Sequence, residues 1–281
     1  MAWKVYTDVE TFAADVEPLL YKAEDKYSLF LGIMLQIGLG RYEDYFLALD
    51  EEGGRIYAAC LMTPPHPLHL ITFQESLEME NRLSDILMAL GVEVEGVIGE
   101  KPNAERFAEA WIRKTGVMGS VLMEQGLYRA DAVDFNFDRS PGTWRIASRK
   151  DAPALEKWLM LFEMETGLAL SSEREASWKI ESYLDRKEVY VWEVEGRPVA
   201  CLKKSRPTKH GITISFVFTP ERYRNKGYAS TLVAEVTDEL LLEYDFVVLY
   251  TDLKNPTSNK LYERIGYVQI AHQIHLGFED L

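Results

Sequence analysis

Apolar positions along the chain follow two rhythms. In the second half, Leu155, Trp158, Leu159 and Phe162 recur at i, i+3, i+4 and i+7, the stripe of a helix packed on one side. Gly211-Ile-Thr-Ile-Ser-Phe-Val-Phe-Thr219 instead alternates, with β-branched and aromatic residues at the apolar positions, and predicts a strand. Ala229, Leu232, Val233, Val236 and Leu240 mark the next helix, beginning near Tyr228. Phe246-Val-Val-Leu-Tyr250 is a continuous apolar run of the kind buried in a parallel sheet, and Thr257 to Ile265 reads as a helix ended by Gly266. Upstream, Trp144–Ser148 predicts a short strand and Glu173–Asp185 a helix. Val189–Val194 and Arg197–Lys203 predict a hairpin about Glu195-Gly196. Tyr267 to Phe278 predicts a final edge strand.

The first half echoes this order. Tyr45–Leu49, a turn over Asp50–Gly54 and Arg55–Met62 form a second hairpin, and Gly54-Arg55…Cys60-Leu61 resembles Gly196-Arg197…Cys201-Leu202 at offsets of 142 and 141. After each hairpin the pattern runs strand, helix, strand, helix, closing at Gly116 and Gly266. Strand and helix in alternation mean an α/β layer with at least one parallel pair. Between the halves, periodicity lapses over Asp134-Phe-Asn-Phe-Asp-Arg-Ser-Pro-Gly142, which suits a linker. The segmentation is therefore a domain over 1–135, a linker over 136–142 and a domain over 143–281.

Charge narrows the partners. The 281 residues carry 31 Lys+Arg against 45 Asp+Glu, a net charge of −14. That argues against nucleic acid, whose affinity comes from clustered Lys and Arg, and leaves cationic ligands electrostatically welcome. Cys60 and Cys201 stand alone, with no disulfide framework and no thiolate metal cage, which fits a reducing cytoplasm. No secretory leader pattern opens the chain and no stretch approaches the ~20 apolar residues of a membrane span, so no membrane role is expected.

One stretch departs from the acidic background. Pro220-Glu-Arg-Tyr-Arg-Asn-Lys-Gly-Tyr-Ala-Ser230 places Arg222, Arg224 and Lys226 beside Gly227 at a helix N-terminus. Gly227 permits close backbone approach or positive φ, and the unpaired amides and positive helix end suit a diphosphate. The stretch matches neither the nucleotide P-loop nor G-x-G-x-x-G. After the next strand, Asn255-Pro256 reads as a helix entry, and Ser258, Leu261, Tyr262 and Ile265 share one helical face.

Together the two stretches resemble the GNAT superfamily of acyl-CoA-dependent N-acyltransferases, through Arg224-Asn-Lys-Gly227-Tyr-Ala229 and Asn255…Leu261-Tyr262…Gly266-Tyr267. Over about residues 143–270 the chain looks like bacterial two-domain predicted acetyltransferases. The resemblance implies tandem GNAT-like α/β halves, each a mixed, mostly antiparallel sheet flanked by helices. In the family, the strand matching Ile214–Thr219 splays from that matching Phe246–Tyr250, and pantetheine lies between them. That assigns cofactor contacts to backbone groups of Phe216, Val217 and Phe218. It assigns the pyrophosphate to the amides of Arg224, Asn225, Lys226, Gly227, Tyr228, Ala229 and Ser230, and pantetheine contact or loop positioning to Asn255. Tyr262 takes the place of the general acid that protonates the departing thiolate, and amine attack is direct.

The implied activity is transfer of an acetyl group from acetyl-CoA to a primary amine of a small molecule, with no metal. The alternative is a non-catalytic acyl-CoA-binding or scaffold protein. Thr213, Ser215, His210 and Glu193 stand as candidates for accepting the amine proton. In the first half, Thr63–Ser76 has no matching loop and Asn103…Trp111…Gly116 lacks the tyrosine, so residues 1–135 read as a degenerate half that has lost CoA binding and walls the acceptor cleft. The histidine pairs at 66/69 and 272/275 lack a third ligand and read as structural, and Glu163-Met-Glu165 reads as a solvated helix end. The acceptor's identity and the oligomeric state are not fixed by the sequence.

Overall fold

The computed structural model describes residues 2–280, which form two compact units, Met1–Leu127 with Gln269–Leu281 and Tyr128–Val268. In the first, strand β1 (Ala2–Tyr6) precedes helices α1 (Val9–Leu20) and α2 (Ser28–Gly38), then β2 (Phe46–Glu52), β3 (Arg55–Met62), β4 (Leu68–Thr72), α3 (Met79–Ala89), β5 (Gly96–Glu100), α4 (Lys101–Thr115) and β6 (Met118–Ala130). The second half of the chain repeats that order as β7 (Thr143–Ile146), α5 (Ala152–Thr166), α6 (Glu173–Asp185), β8 (Val189–Val194), β9 (Arg197–Ser205), β10 (Gly211–Phe218), α7 (Tyr228–Leu240), β11 (Phe246–Asp252), α8 (Pro256–Arg264) and β12 (Val268–Glu279), the last of which belongs to the first unit from Gln269 on. Both predicted hairpins form. The first keeps its strand through Glu52 and turns at Gly53-Gly54 alone, tighter than the five-residue turn expected.

Local chemistry sets the ends. Ser172 and Glu175 form a reciprocal capping box at the start of α6. Helix α4 stops at Gly116, whose left-handed φ of 81° ends the ladder. Strand order in the first unit is β1-β2-β3-β4-β5-β12-β6. Strands β4 and β5 are parallel, with Leu68, His69 and Leu70 opposite Val97, Ile98 and Gly99. The second unit holds β11-β10-β9-β8-β7, with β10 and β11 parallel and the other pairs antiparallel.

In each unit helices pack on both faces of the strands. In the first unit, Phe46, Ala48, Leu68 and Leu70 pack with α3 and α4, while Leu47, Leu49, Leu61 and Ile71 pack with α1 and α2. In the second, Trp192, Leu202, Ile212 and Ile214 meet α7 and α8, and Val191, Cys201, Phe216 and Phe218 meet α5 and α6. Helices on both faces of a mixed sheet are the α/β architecture expected.

Two segments differ from the sequence reading. Strand β12 is not an edge: it pairs antiparallel with β5, Gln273 opposite Glu100 and Gly277 opposite Gly96, and gives Ile274, Leu276 and Phe278 to the core of the first unit. A pattern of alternation reports a strand but not its partner. Residues 136–142 are also no loose tether, because Trp192 Nε1 donates to the Pro141 carbonyl at 3.0 Å and Arg139 pairs with Glu235 at 3.4 Å. Among the described residues no helix is long and apolar enough to cross a membrane, and both cysteines are buried free thiols.

Candidate active site

The site begins with a fault in β10. Its pairing with β9 runs in register from Thr213–Ser205 to Ser215–Lys203 and resumes at Phe218–Cys201, so Phe216 and Val217 together face one residue. Phe216 has a φ of 49°. This bulge reverses the side-chain parity: Ile212 and Ile214 face α7 and α8, whereas Phe216 and Phe218 face α5 and α6. On its other side β10 pairs with β11 only from Gly211–Phe246 to Ile214–Leu249. Beyond that point both strands continue unpaired with each other, so Phe216, Val217 and Phe218 line one arm of a fork. Backbone groups left open on such an arm suit an extended, amide-bearing ligand.

The loop that follows β10 leads into the N-terminus of α7. Asn225 and Gly227 adopt φ values of 62° and 73°, and Gly227 is the N-cap of α7. The first helical hydrogen bond of α7 is Thr231 N to Gly227 O at 3.0 Å, so the amides of Tyr228, Ala229 and Ser230 have no carbonyl within the helix. Arg224, Asn225, Lys226 and Gly227 are exposed. A Cβ on Gly227 would lie 2.8 Å from Ser140 Oγ, which donates to the Lys226 carbonyl at 2.7 Å, while Ser140 N donates to Thr231 Oγ1 at 3.0 Å. Ser140, read from sequence as linker, is a brace for this loop.

The cations are less available than their spacing suggests. Arg224 donates from Nε to the Thr219 carbonyl at 2.9 Å and from Nη2 to both Glu165 carboxylate oxygens at 2.6 and 2.7 Å. Arg222 lies over the Tyr223 ring at 4.7 Å. That leaves the backbone amides, with Lys226 beside them, as the candidate donors of this loop to an anion. Of the pair read as a solvated helix end, Glu165 is exposed and Glu163 is not. Glu163 is buried, accepting from the Ser171 amide and hydroxyl at 2.8 Å each and from Lys179 at 3.0 Å. Although burial opposes its charge, these donors hold its carboxyl below the ordinary range.

Tyr262, on α8, is 7% exposed, with ring centroids 6.0 Å from Tyr267 and 6.5 Å from Tyr128. Burial pushes its phenol well above the ordinary value, so the proton stays on. Its hydroxyl makes no hydrogen bond among the described residues. Asn255 caps α8, its side-chain oxygen accepting from Ser258 N at 3.2 Å, which favours positioning over contact.

None of the proposed proton acceptors stands ready. Glu193 lies 2.6 Å from Arg145, which also grips Asp151 at 2.8 Å. Ser215 Oγ is 3.1 Å from Ser205 Oγ, Thr213 is fully buried, and His210 is exposed before the strand. Sequence reasoning missed Lys203, opposite Ser215 and 4.3 Å from the Tyr183 ring centroid. Burial, with Arg206 and Arg186 nearby and Glu188 opposing, brings its ammonium down to about 8.

The first unit repeats the left-handed residue at the helix start but not the bulge in the preceding strand. Its counterpart loop follows β4, at Phe73–Glu78, because Leu68–Thr72 within the stretch read as loop is itself a strand. Glu78 caps α3 with a φ of 53°, in the conformation of Gly227 on α7. A carboxylate thus stands where the second unit has a glycine. Strand β4 pairs with β3 without a bulge, and Arg82 is held by the buried Asp50 at 2.7 Å.

A bulged strand, a fork with its parallel neighbour and a helix N-terminus whose first amides have no intrahelical partner thus occur together in the second unit. Residues 152–267 match the acetyltransferase (GNAT) family. No curated protein matches the sequence. Among solved structures, the chain is similar to an acetyltransferase from the GNAT family from Colwellia psychrerythraea, at 14% identity and TM-score 0.61 over 99% of each chain. It is also similar to a GCN5-related N-acetyltransferase from Sphaerobacter thermophilus, at 15% identity and TM-score 0.65 over 99% of this chain and 98% of that one. A tandem GNAT protein from the clavulanic acid biosynthesis pathway matches at 10% identity and TM-score 0.58, over 98% of both. At these identities the likeness speaks for the fold, and it extends over both units.

Proposed function

We propose that the second unit transfers an acetyl group from acetyl-CoA to the primary amine of a small-molecule acceptor. The observation that carries this reading is the fork of β10 and β11 ending beneath the free amides of α7. Amides from Arg224 to Ser230 hold the pyrophosphate, and backbone groups of Phe216, Val217 and Phe218 hold the pantetheine arm. Asn255 keeps the start of α8 in place. The amine nitrogen attacks the thioester carbonyl carbon, the carbon–sulfur bond breaks, and the sulfur takes a proton donated by Tyr262. A buried phenol is a weak acid, so it acts by a short hydrogen bond to the developing thiolate. The rest of the rate comes from alignment and from strand amides facing the carbonyl oxygen.

With Glu193 tied to Arg145, the reading assigns the amine proton to water. The net charge of −14 supports a cationic acceptor, and two buried thiols suit a reducing cytoplasm. The first unit, with Glu78 at the matching helix start, binds no acyl-CoA in this reading. The same lack of a free base favours a second reading, an acyl-CoA-binding scaffold without turnover. Acetyl-CoA at one hundred times its Kd should stabilise the fold by about 2.7 kcal/mol in either case. Thiol release with a panel of primary amines separates the two. No thermal shift with acetyl-CoA would overturn both.

A further inference from the structure

The first unit leaves part of its sheet uncovered on the side facing α1 and α2. Strand β5 is interior, flanked by β4 and β12, yet Ile98 and Glu100 on this side are only half-buried, as is His275 opposite Ile98. On the other side Val97 and Leu276 are packed in the core. Around the uncovered stretch stand three buried polar side chains whose atoms find no partner: Ser28 Oγ, His69 Nδ1 and Gln273 Oε1. Their residues are 2%, 2% and 3% exposed.

These groups converge. His69 lies opposite Ile98, and Gln273 opposite Glu100, so the parity of the strands puts all four with His275 on one face. Lys26 Nζ meets Glu100 Oε1 at 2.6 Å, and the Phe30 ring stands edge-on to His69 with centroids 5.3 Å apart. Ser28 lies between those two anchors in the chain, at the start of α2. A buried polar atom without a partner costs about 1–3 kcal/mol, so three such atoms among the described residues near a half-buried stretch of β5 point to something that satisfies them.

The chemistry narrows the occupant. Lys26 and Glu100 neutralise each other, which leaves no free charge for an ion. Burial brings His69 down to about 4 and holds His275 below the ordinary range, so both rings are neutral near pH 7 and each offers one donor and one acceptor. Among the described residues no group of His, Cys, Asp and Glu could hold a metal ion. We propose that the first unit binds an uncharged small molecule bearing both hydrogen-bond donors and acceptors, against β5 between Ser28, His69 and Gln273.

The test follows the imidazole C–H resonances of His69 and His275 by NMR in the full chain. Uracil and acetamide serve as uncharged probes, sodium acetate and methylammonium chloride as charged ones. The uncharged probes should give saturable shifts at both histidines, and Ser28→Ala should weaken them about fivefold, the worth of one hydrogen bond. Gln273→Leu should do the same, and His69→Phe, which keeps the aromatic contact with Phe30, guards against a variant that fails to fold. Absence of saturable shifts with any probe would mean that water alone satisfies these groups and would overturn the proposal. Equal or stronger shifts with the charged probes would overturn it as well. Neither result bears on acetyl-CoA turnover in the second unit, so the two readings fail separately.

Discussion

At the residue scale, Tyr262 owes its place to a spacing and its acidity to burial. If its hydroxyl serves the departing sulfur, Tyr262→Phe should lower kcat by about a hundredfold or more, the usual worth of a positioned acid, while the Kd for acetyl-CoA stays put. Because the phenol is pushed above its ordinary value, the rate should not decline near pH 10, where a free tyrosine ionises. Equal kcat in the variant would remove the assignment. His69 has the opposite sign. Its folded-state value of about 4 lies below the unfolded value of about 6.5, so the unfolded chain binds the proton first and stability falls as pH drops through that window. The loss should be on the order of 3 kcal/mol, and His69→Phe should flatten that part of a urea-unfolding series against pH. That Gly227 and Asn255 open helices was legible, because each is set within its own local element. The Arg224–Glu165 pair was not, since 59 residues separate partners that only the fold brings together.

At the scale of elements, the informative feature is the bulge in β10, and the sequence conceals it. Ile212, Ile214, Phe216 and Phe218 read as one apolar face of an unbroken strand, yet the chain divides them two and two between opposite faces. Nothing in an alternating pattern records an extra residue absorbed at a positive φ. The loop that follows was legible, because a glycine at a helix start has few other uses. Its support was not: Ser140 reaches Lys226 from 86 positions away. Gly227→Ala places a side chain at a φ of 73°, 2.8 Å from Ser140 Oγ, so it should cost about 1–2 kcal/mol in stability and displace the amides. Acetyl-CoA affinity should fall by more than tenfold. Ser140→Ala removes one hydrogen bond and opens that space, so its stability cost should be nearer 1 kcal/mol, with affinity reduced a few-fold. Calorimetric titration of both variants checks the order. Equal affinities in wild type and Gly227→Ala would show that these amides do not hold the ligand.

At the scale of the molecule, the order β, α, α, β, β, β, α, β, α, β was legible in the second half, and in the first half from the hairpin to the helix that ends at Gly116, because the two halves punctuate these elements with similar turns. Where the chain goes last was not. After Val268 it leaves the second unit, and Gln269–Leu281 belongs to the first, where Gln273 to Gly277 pair with β5. The last thirteen residues therefore complete the fold of the first unit, although they follow the second in sequence. Ile274, Leu276 and Phe278 are buried there, and burying side chains of this kind is worth about 1.5–3 kcal/mol each. Their combined contribution is comparable with the whole stability of an ordinary domain. Ending the chain at Tyr267 should therefore unfold the first unit before the second. Hydrogen exchange would show this as lost protection at Gly96–Glu100, where β5 donates to and accepts from β12, while the amides of β8 and β9 remain slow. Protection lost first in β8 and β9 would mean instead that the terminal strand chiefly stabilises the second unit.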